Sequence, residues 1–358
     1  MRRKILSVLT IAAVLGISST ALAFSKPMTI ADQGSFLAGG TTVQTEGKWD
    51  YTQPMNKAGQ TIHGDHAYVF YQKPVNARKL PLVFLHGAGE SGKTWETTPD
   101  GRDGFQNIFL ERGYSTYVVD QPRRGKAGQS TVPENIAAGT YDQMWFSNFR
   151  VGSWPEYFPG VQFPKDKKAL EQFFRQMTPN TGAYDEQVIS DAMTAVFDKA
   201  GSGILVTHSQ GGGPGWWTAI KSSKVKAVVA FEPGSGFIFP QGEAPAPMET
   251  TSPFGALKAA EIPLADFMKL TKIPIVIYYG DNIPEQPTDE WNKDNWRVRL
   301  AMARKWAEAV NRHGGDAKVV HLPEIGVKGN THFPFADLNN VQIADLMEQW
   351  LHEKGLDK

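Results

Sequence analysis

The sequence predicts an α/β chain in which a mostly parallel sheet is covered by helices on both faces. Three observations predict it. Short β-branched apolar runs recur along the 358 residues, each closed by Gly, Pro or a polar residue. The runs are apolar throughout, which is how strands covered on both sides read. Helix-like stretches separate them, and strands alternating with helices imply parallel neighbours joined by crossovers.

In chain order, the first segment stands outside that rhythm. Arg2, Arg3 and Lys4 precede an apolar run from Ile5 to about Ile17, and Ala21-Leu22-Ala23 supplies a small-x-small cleavage pattern. The run is shorter than the ~18–20 apolar residues a bilayer span needs. Residues 1–23 are therefore expected to be a signal peptide, with a mature chain starting near Phe24 that is exported to the periplasm or secreted. The strand-like runs are His66–Tyr71, Leu80–Leu85, Ser115–Val119, Gly203–Val206, Val225–Phe231, Ile273–Tyr279 and Ala317–Leu322. Helical segments between and after them are Lys167–Gln176, Asp185–Ala200, Gly215–Ser222, Asp294–Arg312 and Val341–Lys354.

Two long stretches interrupt the alternation, at about 121–182 and 234–270. Loops of that length inside one compact domain are usually functional. They are expected to be lids over the strand ends of a single domain spanning 24–358. The first holds Trp145, Phe146, Phe149, Trp154, Tyr157, Phe158 and Phe163, expected mostly to pack the insertion and in part to wall an apolar pocket.

Composition narrows the chemistry. Lys plus Arg (37) equals Asp plus Glu (37), so no net field attracts nucleic acid or anionic lipid. With no cysteine, disulfides, thiolate catalysis and thiolate metal sites are excluded together. His63-x-x-His66 has no carboxylate completing a ligand set, and Asp100, Gly101 and Asp103 lack calcium-loop spacing, so neither metal nor cofactor is expected.

The strongest motif is Ile204-Leu205-Val206-Thr207-His208-Ser209-Gln210-Gly211-Gly212-Gly213. A buried strand runs into small-x-Ser-x-Gly and then into a helix, the arrangement of a nucleophile elbow, with Thr207 where glycine is usual. A phosphate loop fits less well, because no lysine closes the glycines and the serine precedes them. In Pro81–Ser91 a strand ends in His86-Gly87-Ala88. Such a loop donates one backbone N–H to an oxyanion, and the residue after the nucleophile donates the other, here Ala88 and Gln210. His86 is expected to hold the loop. A serine hydroxyl needs a base, and His332 lies in the loop after the last strand, where this order of elements places one. For the acid two carboxylates remain open, Glu232 closing Val225–Phe231 and Asp281 closing Ile273–Tyr279.

These motifs make the chain resemble the α/β-hydrolase superfamily and, within it, a bacterial esterase 713-like branch. The resemblance rests on His86-Gly87, His208-Ser209-Gln210-Gly211, Phe231-Glu232-Pro233-Gly234 and Thr331-His332-Phe333, and spans roughly Leu80 to the C-terminus. It implies an α/β-hydrolase fold, esterase chemistry and Glu232 as the acid. The type member has adjacent cysteines where this chain has Ala88-Gly89, so the rigidity of its oxyanion loop is expected to come from packing. The expectation is a serine esterase acting through an acyl-enzyme on a small ester with an apolar part. Amidase, lactonase and peptidase chemistry share that machinery. A serine at 209 disfavours dehalogenase and epoxide-hydrolase readings, which need an aspartate there, and a binding protein on the same fold is the reading from another class.

Overall fold

The computed structural model describes residues 27–358, so the expected signal peptide lies outside the described residues. Eight strands form the central sheet: β1 (Ile30–Gln44), β2 (Thr61–Pro74), β3 (Leu82–Leu85), β4 (Thr116–Asp120), β5 (Gly203–His208), β6 (Val225–Phe231), β7 (Pro274–Tyr279) and β8 (Asp316–His321). Their spatial order is β1-β2-β4-β3-β5-β6-β7-β8. Strands β3 to β8 run parallel, and β2 is antiparallel to both of its neighbours.

Successive residues of a strand point to opposite faces, and here each face feeds its own core. Val83, Leu85, Leu205, Val228, Ala230, Ile275 and Ile277 enter one core. Leu82, Phe84, Ile204, Val206, Val229, Phe231 and Val276 enter the other. The first is closed by α4 (Glu186–Ala200), α5 (Gly212–Lys221), α6 (Leu264–Leu270) and α7 (Trp291–Arg312) through Met193, Trp216, Phe267 and Trp306. The second is closed by α1 (Phe105–Glu111), α2 (Asp142–Asn148), α3 (Lys167–Arg175) and α8 (Asn340–Glu353) through Phe109, Phe146, Phe173 and Met347. Strands apolar on both faces follow from this double cover. Among the described residues no helix is long and apolar enough to cross a membrane.

The stretch 121–182 carries α2 and α3, and 234–270 carries α6 and a short parallel pair, Ile238–Pro240 with Ala260–Ile262. Strand β1 has no counterpart among the sequence expectations. Its residues are mostly polar or small and only Ala38 is buried, so no apolar run announces it. Pairing with β2, from Ile30 opposite Pro74 to Gln44 opposite Thr61, holds it in place.

Register positions the site. His208 pairs with Phe231, Phe231 with Tyr278, and Tyr279 with His321. The carboxyl ends of β5 to β8 therefore finish side by side, and the residues that follow them emerge along one edge, where parallel sheets bind ligands.

Candidate active site

Ser209 follows β5 at the turn into α5, and Glu232 follows β6. Both have backbone angles in the left-handed region, with φ of +51° and +52°. For non-glycine residues that conformation costs about 1–3 kcal/mol and persists only where the surroundings impose it. Close packing imposes it at Ser209. A Cβ on Gly211 would stand 2.6 Å from the His86 carbonyl oxygen, and one on Gly87 would stand 2.7 Å from Ser209 Cβ.

Glu232 and His332 are fully buried, and Glu232 Oε2 lies 2.9 Å from His332 Nδ1. Burial alone would raise the Glu232 pKa, but the charge of Arg150 and the bonds to His332 and Arg150 bring it down to about 2. An ionised carboxylate only accepts, so Nδ1 carries the imidazole proton and Nε2 keeps its lone pair. Nε2 is buried and has no hydrogen-bond partner among the described residues. The ring is held between Phe149, stacked at 4.9 Å, and Trp296 at 4.1 Å, while its backbone N–H donates to the Phe149 carbonyl at 2.9 Å. Burial and the neighbouring His208 push the His332 pKa well below the ordinary imidazole value.

The other expected acid points elsewhere. The Asp281 carboxylate accepts from its neighbour Asn282 N at 2.6 Å and from Gly329 N at 2.7 Å, which ties down the loop leading to His332.

A cavity of about 260 Å³ opens beside Ser209. Ala88 and Gln210, the expected oxyanion donors, line it with the serine, as do Trp145, Phe149, Trp296 and Arg299. Of the aromatics in 121–182, Phe146, Phe149, Phe158 and Phe163 pack into the second core, and only Trp145 and Phe149 reach the cavity.

Residues 82–346 match the model of the alpha/beta hydrolase family. The chain belongs to the alpha/beta hydrolase family. It is similar to a bacterial esterase of known structure, with 31% identity, a TM-score of 0.73, and coverage of 92% of this chain and 98% of that one. It is also similar to phiG, a probable secreted lipase of a fungal species (strain ATCC 74256). That match is 27% identical over 326 residues and covers 80% of this chain and 86% of the relative.

In this alpha/beta hydrolase three buried groups that the sequence did not single out hold the site together. Arg150, wholly buried, donates through Nη2 to Glu232 Oε1 at 2.5 Å and through Nε to the Asp281 carbonyl at 2.8 Å. Gly280 N donates to the same Glu232 oxygen at 2.5 Å. Glu90 accepts from Gly87 N at 3.0 Å, and its two oxygens lie 3.0 and 2.8 Å from His208 Nδ1. His208 Nε2 in turn donates to the His332 carbonyl at 2.8 Å. Glu90 and His208 thus brace the loop holding Ala88 against the loop holding His332. Asp337 accepts from Thr331 N and Oγ and from Asn330 Nδ2, at 2.7, 2.9 and 3.0 Å. Burial outweighs those bonds and pushes its carboxyl up to about 7. A lone Arg, Glu or Asp inside a loop carries no periodicity or motif, so no signal in the sequence separates these three from solvated charges.

His86 accepts from Gln121 N through Nε2 at 3.2 Å and places Nδ1 3.0 Å from the Gly87 carbonyl. Burial and Arg124 lower its pKa to about 4, which keeps it neutral as a brace for the same loop. Among the described residues no group of three or more His, Asp or Glu gathers as a metal-ligand set.

Proposed function

We propose that the protein is an exported serine hydrolase that cleaves small carboxylic esters through an acyl-enzyme. The observation that carries this reading is the buried, unpartnered Nε2 of His332. It belongs to a ring whose other nitrogen is held by ionised Glu232, and the ring packs between Phe149 and Trp296, two of the residues that line the cavity with Ser209. Ser209 Oγ attacks the ester carbonyl while His332 Nε2 takes its proton. The N–H groups of Ala88 and Gln210 hold the oxyanion, and each such donor is worth about 3–4 kcal/mol of transition-state stabilisation. Collapse expels the alkoxide, which leaves as alcohol with the proton from His332. Water, deprotonated by the same nitrogen, then releases the acid and restores the hydroxyl. Ionised Glu232 keeps the imidazole in the working tautomer and stabilises its transient cation.

The similarity to a bacterial esterase and to a probable secreted lipase supports ester chemistry and export. The segments 121–182 and 234–270 serve in this reading as lids of one domain, since Trp145 and Phe254 both reach the cavity. A volume of about 260 Å³ suits a short acyl group better than a long one. The test is a fluorophosphonate probe together with esters of graded acyl length. The wild-type protein labels at Ser209 and turns over short esters, and Ser209→Ala does neither while keeping its Tm. Labelling elsewhere, or turnover retained in Ser209→Ala, would defeat the assignment.

A further inference from the structure

Helix α7 lays Asn292, Asn295, Trp296 and Arg299 on one face, at the spacing of residues that share a side of a helix. That face meets the strand ends. Asn295 Nδ2 donates to Asn148 Oδ1 at 2.9 Å and Trp296 Nε1 donates to the Asn148 carbonyl at 2.6 Å, so the face is anchored to α2. Trp296 then carries two guanidinium groups, Arg150 at 4.9 Å and Arg299 at 5.4 Å from its ring. Arg150 is neutralised by Glu232. Among the described residues Arg299 has no carboxylate partner at all.

What Arg299 does have is an anchored end and a free one. Nη1 donates to the carbonyl and the side-chain oxygen of Asn295, each at 2.6 Å, which fixes the plane of the guanidinium. Nε and Nη2 have no acceptor among the described residues. Those two donors form the edge of the fork that matches a carboxylate bidentately. The edge faces the cavity of Ser209: a Cβ on Gly234 would lie 3.9 Å from Arg299 Nε and 3.5 Å from Ser209 Oγ. Arg299 is half-buried at the cavity wall, where a charge interacts more strongly with an incoming anion than it would in open water. Burial does lower its pKa, to about 10, which leaves it charged at neutral pH.

We infer that Arg299 is a substrate-binding residue and that the natural substrate is an ester bearing a carboxylate a few carbons from the scissile carbonyl, as in a monoester of a short dicarboxylic acid. The carboxylate takes the Nε–Nη2 edge and the ester carbonyl meets Ser209. This rests on the esterase reading and sharpens it from small esters to small anionic esters.

Two measurements test it separately from that reading. The first is binding without turnover. In Ser209→Ala, glutarate should raise the Tm, and the added Arg299→Gln should remove that shift. No shift with glutarate, or a shift that survives Arg299→Gln, overturns the inference whether or not the protein is an esterase. The second is selectivity by pH-stat, with monomethyl against dimethyl glutarate and acetoxyacetate against its methyl ester. The two pairs place the charge on the acyl and the alcohol side. Wild-type kcat/KM should favour the acyl-side anion over its neutral partner by about tenfold or more, and Arg299→Gln should cut that ratio by about 30-fold or more, chiefly through KM. Arg299→Lys should recover part of it. A ratio that Arg299→Gln leaves unchanged overturns the inference, and a preference confined to the acetoxyacetate pair overturns its acyl-side form.

Discussion

Thr207 and Gly215 face each other where β5 meets α5, and a Cβ on Gly215 would stand 2.7 Å from Thr207 Cγ2. The strand position that is usually glycine is threonine here, and the room it needs is given up by the helix. Gly215→Ala would gain up to about 1 kcal/mol of helix propensity if the site were open. Against Thr207 it should instead destabilise by about 1–3 kcal/mol through overpacking. Adding Thr207→Gly should return most of that loss. Denaturant unfolding of the two single variants and the double variant reads the coupling directly, and additive effects would contradict it.

Glu90 stands where a loop without cysteines needs stiffening. Glu90→Ala leaves the Gly87 N–H and His208 Nδ1 buried without partners and frees the loop that presents Ala88. Stability should fall by about 1–3 kcal/mol. Turnover should fall about 100-fold in kcat with little change in KM, as when one oxyanion donor is misplaced. Glu90→Gln, which can still accept from Gly87 N and donate to His208, should restore most of both. Equal losses in the two variants would show that charge, and not position, is what Glu90 supplies.

The two carboxylates at the strand ends separate by partner. Glu232 faces the imidazole and Asp281 faces backbone N–H groups. Glu232→Gln should lower kcat by about 10⁴, the scale seen when a triad acid is made an amide. Asp281→Asn should act mildly, by loosening the His332 loop. Steady-state kinetics of both variants compare them, and a crippled Asp281→Asn beside an active Glu232→Gln would reverse the roles.

The pH dependence has a definite sign. In the proposed mechanism His332 works as the neutral imidazole, and its pKa lies well below 6.5 in the fold. The acid limb of kcat/KM should therefore fall below pH 6.5, with a flat profile through neutrality. Stability follows linkage. Unfolded His332 binds its proton near 6.5 and folded His332 resists, so its contribution is present above that pH and lost as pH falls. Glu232, lowered from 4.5 to about 2, acts in the same direction, its contribution fading as pH drops from 4.5 towards 2. Asp337, raised from 3.8 to about 7, acts oppositely, and its contribution is lost as pH rises through 7. Thermal melts of wild type and Asp337→Asn between pH 4 and 8 isolate that last contribution, since only the wild type should lose it.

Much of the architecture was legible because buried parallel strands write themselves as continuous apolar runs. Val225–Phe231 could be read to the residue, and the strand that leads to Ser209 to within two residues of its end. Strand β1 could not, since a solvated edge strand needs only backbone pairing. The choice between Glu232 and Asp281 depends on which side of a strand end each carboxylate leaves, and that is fixed by φ of +52° at Glu232, a quantity no composition reports. Arg150 and Glu90 were illegible for a related reason. Their partners lie 82 and 118 residues away, and a charge read alone looks like one in water.

The alignment of the strand ends has a consequence for the life of the chain before it is complete. Glu232 and His332 are 100 residues apart in sequence, and the loop that carries His332 is braced from Glu90 through His208. Nothing local can bring these groups together, and they meet only where β3, β5, β6, β7 and β8 lie side by side. During synthesis Ser209 emerges long before His332. Until the last strand joins, its hydroxyl has no base beside it and is as inert as any serine in water. Under the proposed chemistry a nascent or truncated chain is therefore silent towards the esters around it, and hydrolysis begins only when the sheet closes.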